Sequence, residues 1–229
     1  MSATIGTHSG AFQADEALGV HLLRLLPQYR DAPVTRSRDL AVLAPLTIVI
    51  DVGGTYNHEQ LRYDHHQRGF FETFDGKAGE ATKPEEATGE FKTKLSASGL
   101  VYKHYGREII GVLHPSLHDD PDALEWVYTK MYRDFMEAID GNDNGIEIAD
   151  EVRYKETTTL PARVHRLNSR WNDAAGGPTE DERFWQASKL CGAEFEQVSN
   201  RLVVPAPCPL QPHVSSPFAS RSPCTPSAC

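Results

Sequence analysis

Cysteine, basic charge and long apolar runs are all scarce in this 229-residue chain. Cys191 stands alone in the body, while Cys208, Cys224 and Cys229 fall at the far end. That spacing gives neither a disulfide framework nor the paired ligands of a zinc ribbon. No window approaches the roughly eighteen consecutive apolar residues of a transmembrane helix, so no membrane contact is expected. Lys and Arg total 23 against 32 Asp and Glu, a net charge of −9 at pH 7. A general basic coat for nucleic acid is thereby excluded, and any polyanion must be neutralised locally. Met1–Thr7 has no charged segment followed by an apolar one and no Arg-rich amphipathic pattern, which predicts a cytoplasmic or nuclear address. What is present is ordinary: 39% hydrophobic and 24% charged residues exclude collagen-like, coiled-coil and wholly disordered chains.

No repeat at solenoid period appears. The composition changes most sharply after about residue 204: positions 205–229 hold seven prolines, five serines and one charged residue, Arg221. Such a segment cannot sustain ladder or helix hydrogen bonds and reads as an irregular tail following a domain over 1–204. A polar stretch over about 73–92 reads as a long loop within that domain. Thr4–Thr7, Val34–Ser37, Leu46–Ile50 and Leu61–Tyr63 read as strands, and Glu16–Leu26 as a helix with Leu18, Leu22, Leu25 and Leu26 on one stripe. Strand, helix, strand, strand implies an α/β fold with a mainly parallel sheet flanked by helices. The second half reads as helical, with Ser96–Tyr105, Pro121–Ile139 and Phe184–Val198 as elements. In Pro121–Ile139 the residues Leu124, Val127, Tyr128, Met131, Tyr132, Phe135 and Ile139 keep a three-four spacing, which marks a core face.

Four sequence-distant clusters of His and Asp fall where elements end: His8 with Asp15, Asp51 after the Ile48-Val49-Ile50 strand, Asp64-His65-His66, and Asp140 with Asp143. Mixed imidazole and carboxylate sets suit Mn²⁺, Fe²⁺ or Zn²⁺ better than Ca²⁺. Asp140 and Asp143 sit at a helix C-terminus, where the macrodipole opposes negative charge by roughly 0.3–1 kcal/mol each and a cation relieves the conflict. Singly, Asp15-Glu16 also fits N-capping, and Asp51 before Gly53-Gly54 and Asp143-Asn144-Gly145 also fit turns. The Asp64-His65-His66 triplet has no packing rationale. The other seven histidines have no partner at ligand-like spacing.

The triplet, together with Ile5-Gly6-Thr7-His8, Asp15-Glu16-Ala17-Leu18, Asp51-Val52-Gly53-Gly54, Thr93-Lys94-Leu95-Ser96, Asp140 to Gly145 and Thr157 to Val164, resembles the DHH phosphoesterase superfamily in its melanocyte-proliferating-gene branch. The resemblance runs from about Thr4 to Asn172, extending to Val198. It implies a metal-dependent phosphodiesterase with two divalent ions, Mn²⁺ first among them, acting as a 3′-to-5′ exonuclease on RNA or a short oligonucleotide, and it adds the mitochondrion as an address. By position His8 and Asp15 look like first-strand ligands, Asp51 like the carboxylate shared between ions, and His65 like a ligand of the second ion completed by Asp140 or Asp143. His66 looks like a phosphate-contacting or proton-donating group oriented by Asp64. Arg62, Arg68, Lys94 and Arg163 are candidate phosphate cations, with Arg163 preferred.

Two departures qualify that expectation. Gln13 and Ala14 stand where the family has His and Cys, so a neutral carbonyl oxygen replaces an imidazole and occupancy of the first ion is expected to fall. After the Phe184–Val198 helix the family continues into a further substrate-binding domain, where this chain turns to Pro-Ser-Cys text, as in a truncated form. A small-molecule phosphohydrolase acting on pyrophosphate or a short dinucleotide, and a non-catalytic remnant, remain as alternatives. The sequence names no protein partner.

Overall fold

The computed structural model describes residues 2–77, 79, 81–173 and 176–203, and the tail expected over 205–229 lies outside the described residues. The parallel strands β1 (Ile5–Thr7), β2 (Val34–Arg36), β3 (Ile48–Ile50) and β5 (Arg62–Tyr63) are joined by β4 (Tyr56–Asn57), which pairs antiparallel with β5, in the order β2-β1-β3-β5-β4. The sheet is mainly parallel and flanked by helices, the class expected. Ile5 pairs with both Val34 and Ile48, and Val49 with Arg62. Ile5, Ile48 and Ile50 are fully buried and Val49 nearly so, as a continuous apolar run requires when both faces of a sheet are covered.

One face is covered by α1 (Ala14–Leu25), which packs against α3 (Ala97–Leu113) and α7 (Glu180–Val203). Gly19 permits this approach, since a Cβ there would stand 2.8 Å from the Ile50 Cδ1. The other face meets α2 (Leu40–Leu43), whose Leu43 is buried near Gly6. Two helices outrun their expected ends: α3 continues to Leu113 and α7 starts at Glu180. The short α2, β4 and α6 (Leu160–His165) lie below the length at which periodicity is readable; α6 is started by the Thr159 side chain accepting from the Ala162 N–H, with Pro161 in its first turn.

The helix expected over Pro121–Ile139 is α4 (Pro121–Met131) and α5 (Glu137–Asp143) joined by a π turn, Tyr132–Met136. A π turn inserts one residue into the ladder, so the buried stripe passes from Tyr132 to Met136, leaving the expected Phe135 half-buried. Downstream, Ile139 and Asp140 both turn inward. The polar stretch over 73–92 is fastened at its ends: Phe74 and Phe91 are buried, Phe74 stacks on Tyr132 at 3.8 Å, and Asp75 accepts from the Glu90 N–H at 2.6 Å. No helix among the described residues is long and apolar enough to cross a membrane.

Candidate metal centre

Parallel strands deliver their C-terminal residues to one edge, and chemistry collects there. His8 follows β1, Asp51 follows β3 and Asp64-His65-His66 follow β5, three adjacent strands of the sheet. Asp15 and Glu16 come from the first turn of α1, where the helix dipole favours negative charge. Asp143 is the last residue of α5, where the dipole opposes it. Asp51 adopts a left-handed backbone, φ 56°, at a cost on the order of 1 kcal/mol that only a tightly determined neighbourhood maintains.

The structure brings seven of the expected residues together. His8 Nε2 lies 3.3 Å from Asp51 Oδ2, and His65 Nε2 lies 3.5 Å from Asp51 Oδ1 and 3.0 Å from Asp143 Oδ2. His66 Nδ1 lies 2.7 Å from Asp64 Oδ1, which also accepts from the His66 N–H, while Asp64 Oδ2 accepts from the Gly54 N–H at 2.6 Å. A carboxylate only accepts, so the His66 proton sits on Nδ1 toward Asp64 and Nε2 faces outward on a side chain 63% exposed. Asp15 reaches the cluster from below: Oδ1 accepts from the Ser96 hydroxyl at 2.5 Å and the Ser98 N–H at 2.6 Å, and Oδ2 from the Ala97 N–H at 3.0 Å. These bonds fix the carboxylate against the N-terminus of α3.

Two expected residues stand apart. Asp140 is fully buried, with Oδ1 accepting from the Ser96 N–H at 3.0 Å and lying 2.7 Å from the Ser96 hydroxyl oxygen, and Oδ2 accepting from Tyr132 at 2.9 Å. It braces Ser96, which in turn holds Asp15. Arg163 pairs with Glu194 of α7 at 2.6 Å, half exposed. In their place the structure adds Glu16, whose Oε1 lies 3.0 Å from His8 Nε2 and whose carboxylate also accepts from the Gln13 N–H at 3.0 and 3.1 Å. In the sequence a Glu three residues past an N-cap position reads as helix capping, and the only signal of a second role was its place next to Asp15.

Ligand-capable atoms converge in three overlapping groups: His8, Glu16 and Asp51; Asp15, His65 and Asp143; and Asp51, Asp64, His65 and His66. Five carboxylates and three imidazoles share this space. Burial pulls the His8 imidazole down, but the Asp51 and Glu16 carboxylates prevail and push it up to about 10. His65 is likewise lowered by burial and carried up to about 10 by Asp143 and Asp51. Burial raises Asp51, yet His65 and His8 hold it below the ordinary carboxylate range. Burial, then Asp143 and Asp51, hold Asp15 well above that range, and burial raises Glu16 against the pull of His8. Protonated imidazoles thus supply the positive charge the carboxylates demand.

The donor set fits a divalent metal on an independent observation. Asp51 Oδ1 and both His65 ring nitrogens are buried without a hydrogen bond of acceptable geometry among the described residues. Buried polar atoms are rarely left so, and one cation between His65 Nε2 and Asp51 Oδ1, 3.5 Å apart, satisfies two of the three.

The family description "MYG1_exonuc: Uncharacterised protein family (UPF0160)" matches residues 4–228. The chain belongs to the MYG1 family. It is 46% identical over 200 residues to the MYG1 exonuclease of Mus musculus, covering 86% of this chain and 49% of that protein. The Homo sapiens MYG1 exonuclease is 45% identical over 197 residues, 84% of this chain and 49% of its own, and the MYG1 protein of Dictyostelium discoideum 42% over 195 residues, 84% and 54%. The chain therefore spans about half the length of the curated relatives it matches. No solved structure is a significant match. In this MYG1-family chain Gln13 is exposed and lines a cavity of about 600 Å³ with Phe12, Ala14, Asn142, Thr157 and Ala162, beside the carboxylate and imidazole cluster.

Proposed function

We propose that this chain carries a two-metal phosphodiesterase centre of the DHH type and acts as a 3′-to-5′ exonuclease on RNA, with Mn²⁺ as its ion. The observation that carries the reading is the Asp51 carboxylate, which turns Oδ2 toward His8 at 3.3 Å and Oδ1 toward His65 at 3.5 Å. One carboxylate facing two sets of donors is what a bridging ligand requires. The exonuclease names of the mouse and human relatives support the reaction class.

His8 and Glu16 would hold one ion with Asp51, and Asp15, His65 and Asp143 the other. A bound pair of divalent ions supplies a hydrolytic nucleophile at neutral pH and neutralises charge on the phosphate. The chain does the rest. The Ser96, Ala97 and Ser98 donors orient Asp15, so its position does not depend on a flexible side chain. Asp64 holds His66 through Nδ1–H, leaving the bare Nε2 to take a proton from water and pass it to the departing oxygen; Asp64 is in turn fixed by Gly54. His8 and His65 shed their protons when they ligate, so ion binding weakens as pH falls. Glu16 supplies the anionic oxygen that a neutral Gln13 does not.

Mn²⁺ titration by electron paramagnetic resonance, with digestion of a 5′-labelled single-stranded RNA, tests this. Two bound ions and a ladder of shortening labelled products are expected, both lost in Asp51→Asn. Wild type that binds no Mn²⁺, or cleaves no faster than Asp51→Asn, refutes the proposal.

A further inference from the structure

Most arginines and lysines near the cluster are already engaged. Arg36 pairs with Glu180 and Asp181, Arg163 with Glu194 and Lys103 with Glu72, while Arg62 donates to the carbonyls of Ala44, Leu46 and Thr47. Arg38, Lys94 and Arg68 differ: among the described residues none has a carboxylate within ion-pair distance, and of the three Arg68 is exposed with no contact to fix it, whereas Arg38 and Lys94 are held in place.

Arg38 follows β2 and is exposed, with Nε 3.0 Å from the Ser9 carbonyl oxygen and Nη2 3.1 Å from His8 Nδ1. The guanidinium is thereby held beside His8, and its Nη1 makes no hydrogen bond among the described residues, so a donor is open to an anion. Lys94 stands on the other flank, half-buried, its ammonium 5.6 Å above the Phe70 ring. Its carbonyl is tied to the Asn144 side chain at 2.8 Å, one residue past Asp143, which sets the base of the side chain next to the second donor group. Burial lowers the ammonium and the charges of Asp143 and Asp64 oppose that. In a chain of net charge −9, two unpaired cations on opposite flanks of an acidic cluster can only help an anion that also meets the metals.

We infer that Arg38 and Lys94 grip the non-bridging oxygens of the substrate phosphate, Arg38 from the His8 side and Lys94 from the Asp143 side. This rests on the metal-dependent reading above. Arg38 offers a forked pair of donors and Lys94 a single point charge, so Arg38 fixes the orientation of the phosphate and Lys94 mainly its affinity.

Calorimetric titration of the Mn²⁺-loaded full chain with adenosine 5′-monophosphate tests the grip without turnover. Arg38→Gln and Lys94→Gln are each expected to raise Kd about tenfold or more, with Mn²⁺ stoichiometry unchanged. For a single-stranded RNA decamer, the slope of log K against log salt should fall by about 0.7 for each cation removed. Arg38→Lys should restore that slope but not the full affinity for the monophosphate. The inference is overturned if both variants stay within threefold of wild type, if only one of them weakens, or if wild type binds no phosphate. Absence of Mn²⁺ from wild type sinks the metal reading separately, and the salt slope of the metal-free chain then decides the grip.

Discussion

Ser96 sits between two buried carboxylates, its hydroxyl oxygen 2.5 Å from Asp15 and 2.7 Å from Asp140. A hydroxyl has one proton, so it cannot donate to both. One carboxyl must carry a proton of its own. Burial raises both carboxyls, Asp140 up to about 7 against the opposing bonds from Ser96 and Tyr132. Asp15, however, also accepts from the Ala97 and Ser98 N–H groups at the N-terminus of α3, which favour its charge, so Asp140 is the holder of that proton. The folded chain then retains near neutrality a proton that an ordinary carboxyl, at 3.8, has released in the unfolded chain. The resulting stability is fully present below about pH 4 and is lost as pH rises through 7. At about 1.4 kcal/mol per pH unit and roughly three units, the loss is on the order of 3–4 kcal/mol. Asp140→Asn keeps an oxygen for the Ser96 donors and removes the titration. Urea unfolding of both proteins in chelator, from pH 4 to 8, should show the variant losing 3–4 kcal/mol less than wild type across that range. Parallel profiles, within about 0.5 kcal/mol, would refute the assignment of the proton to Asp140.

Glu16→Gln retains an oxygen for the Gln13 N–H but removes the charge beside His8, and should weaken Mn²⁺ binding about 10–100-fold in a competition titration; unchanged affinity would show that Glu16 serves only the helix end. Gly99→Ala drives a Cβ against Asp140 Oδ1 and to 2.6 Å from Oδ2, in a side chain that three hydrogen bonds prevent from yielding. It should cost about 1–3 kcal/mol in urea unfolding, and a loss under about 0.5 kcal/mol would mean the pocket relaxes more freely than its bonds suggest.

The mainly parallel, helix-flanked sheet was legible because it follows from short-range rules. Ile48-Val49-Ile50 is apolar without alternation, as in a strand buried on both faces, and Asp51 follows it at the carboxyl edge of the sheet. The choice between Asp140 and Asp143 was not legible. Spacing along an unbroken helix puts them nearly on one face, and the π turn at Tyr132–Met136, which turns Asp140 inward toward Ser96, leaves no periodic trace in sequence. Glu16 was hidden by a capping pattern that the structure also shows, since the same carboxylate meets the Gln13 N–H and His8. Arg163 drew attention by its surroundings in sequence, yet its partner Glu194 lies 31 residues away on α7, a tertiary fact no local pattern contains.

Strain, repulsion and desolvation converge on the same few residues, and no core packing explains them. Asp51 holds a backbone conformation that costs free energy and a buried oxygen without a hydrogen bond, while five carboxylates crowd a space from which water is largely excluded. In the metal-free chain this is tolerable only because His8 and His65 stay protonated. Each imidazole proton is therefore a placeholder: it neutralises Asp51 from one side without filling the coordination sphere that the carboxylate oxygens define. Because the strand ends are set by Ile5, Val49 and Ile50 in the buried sheet, the ligands cannot spread apart to relieve their repulsion. On the metal reading proposed above, the free energy that a rigid sheet stores in this crowding would be released when divalent charge replaces the protons, which would tie ion binding to the stability of the fold that confines it.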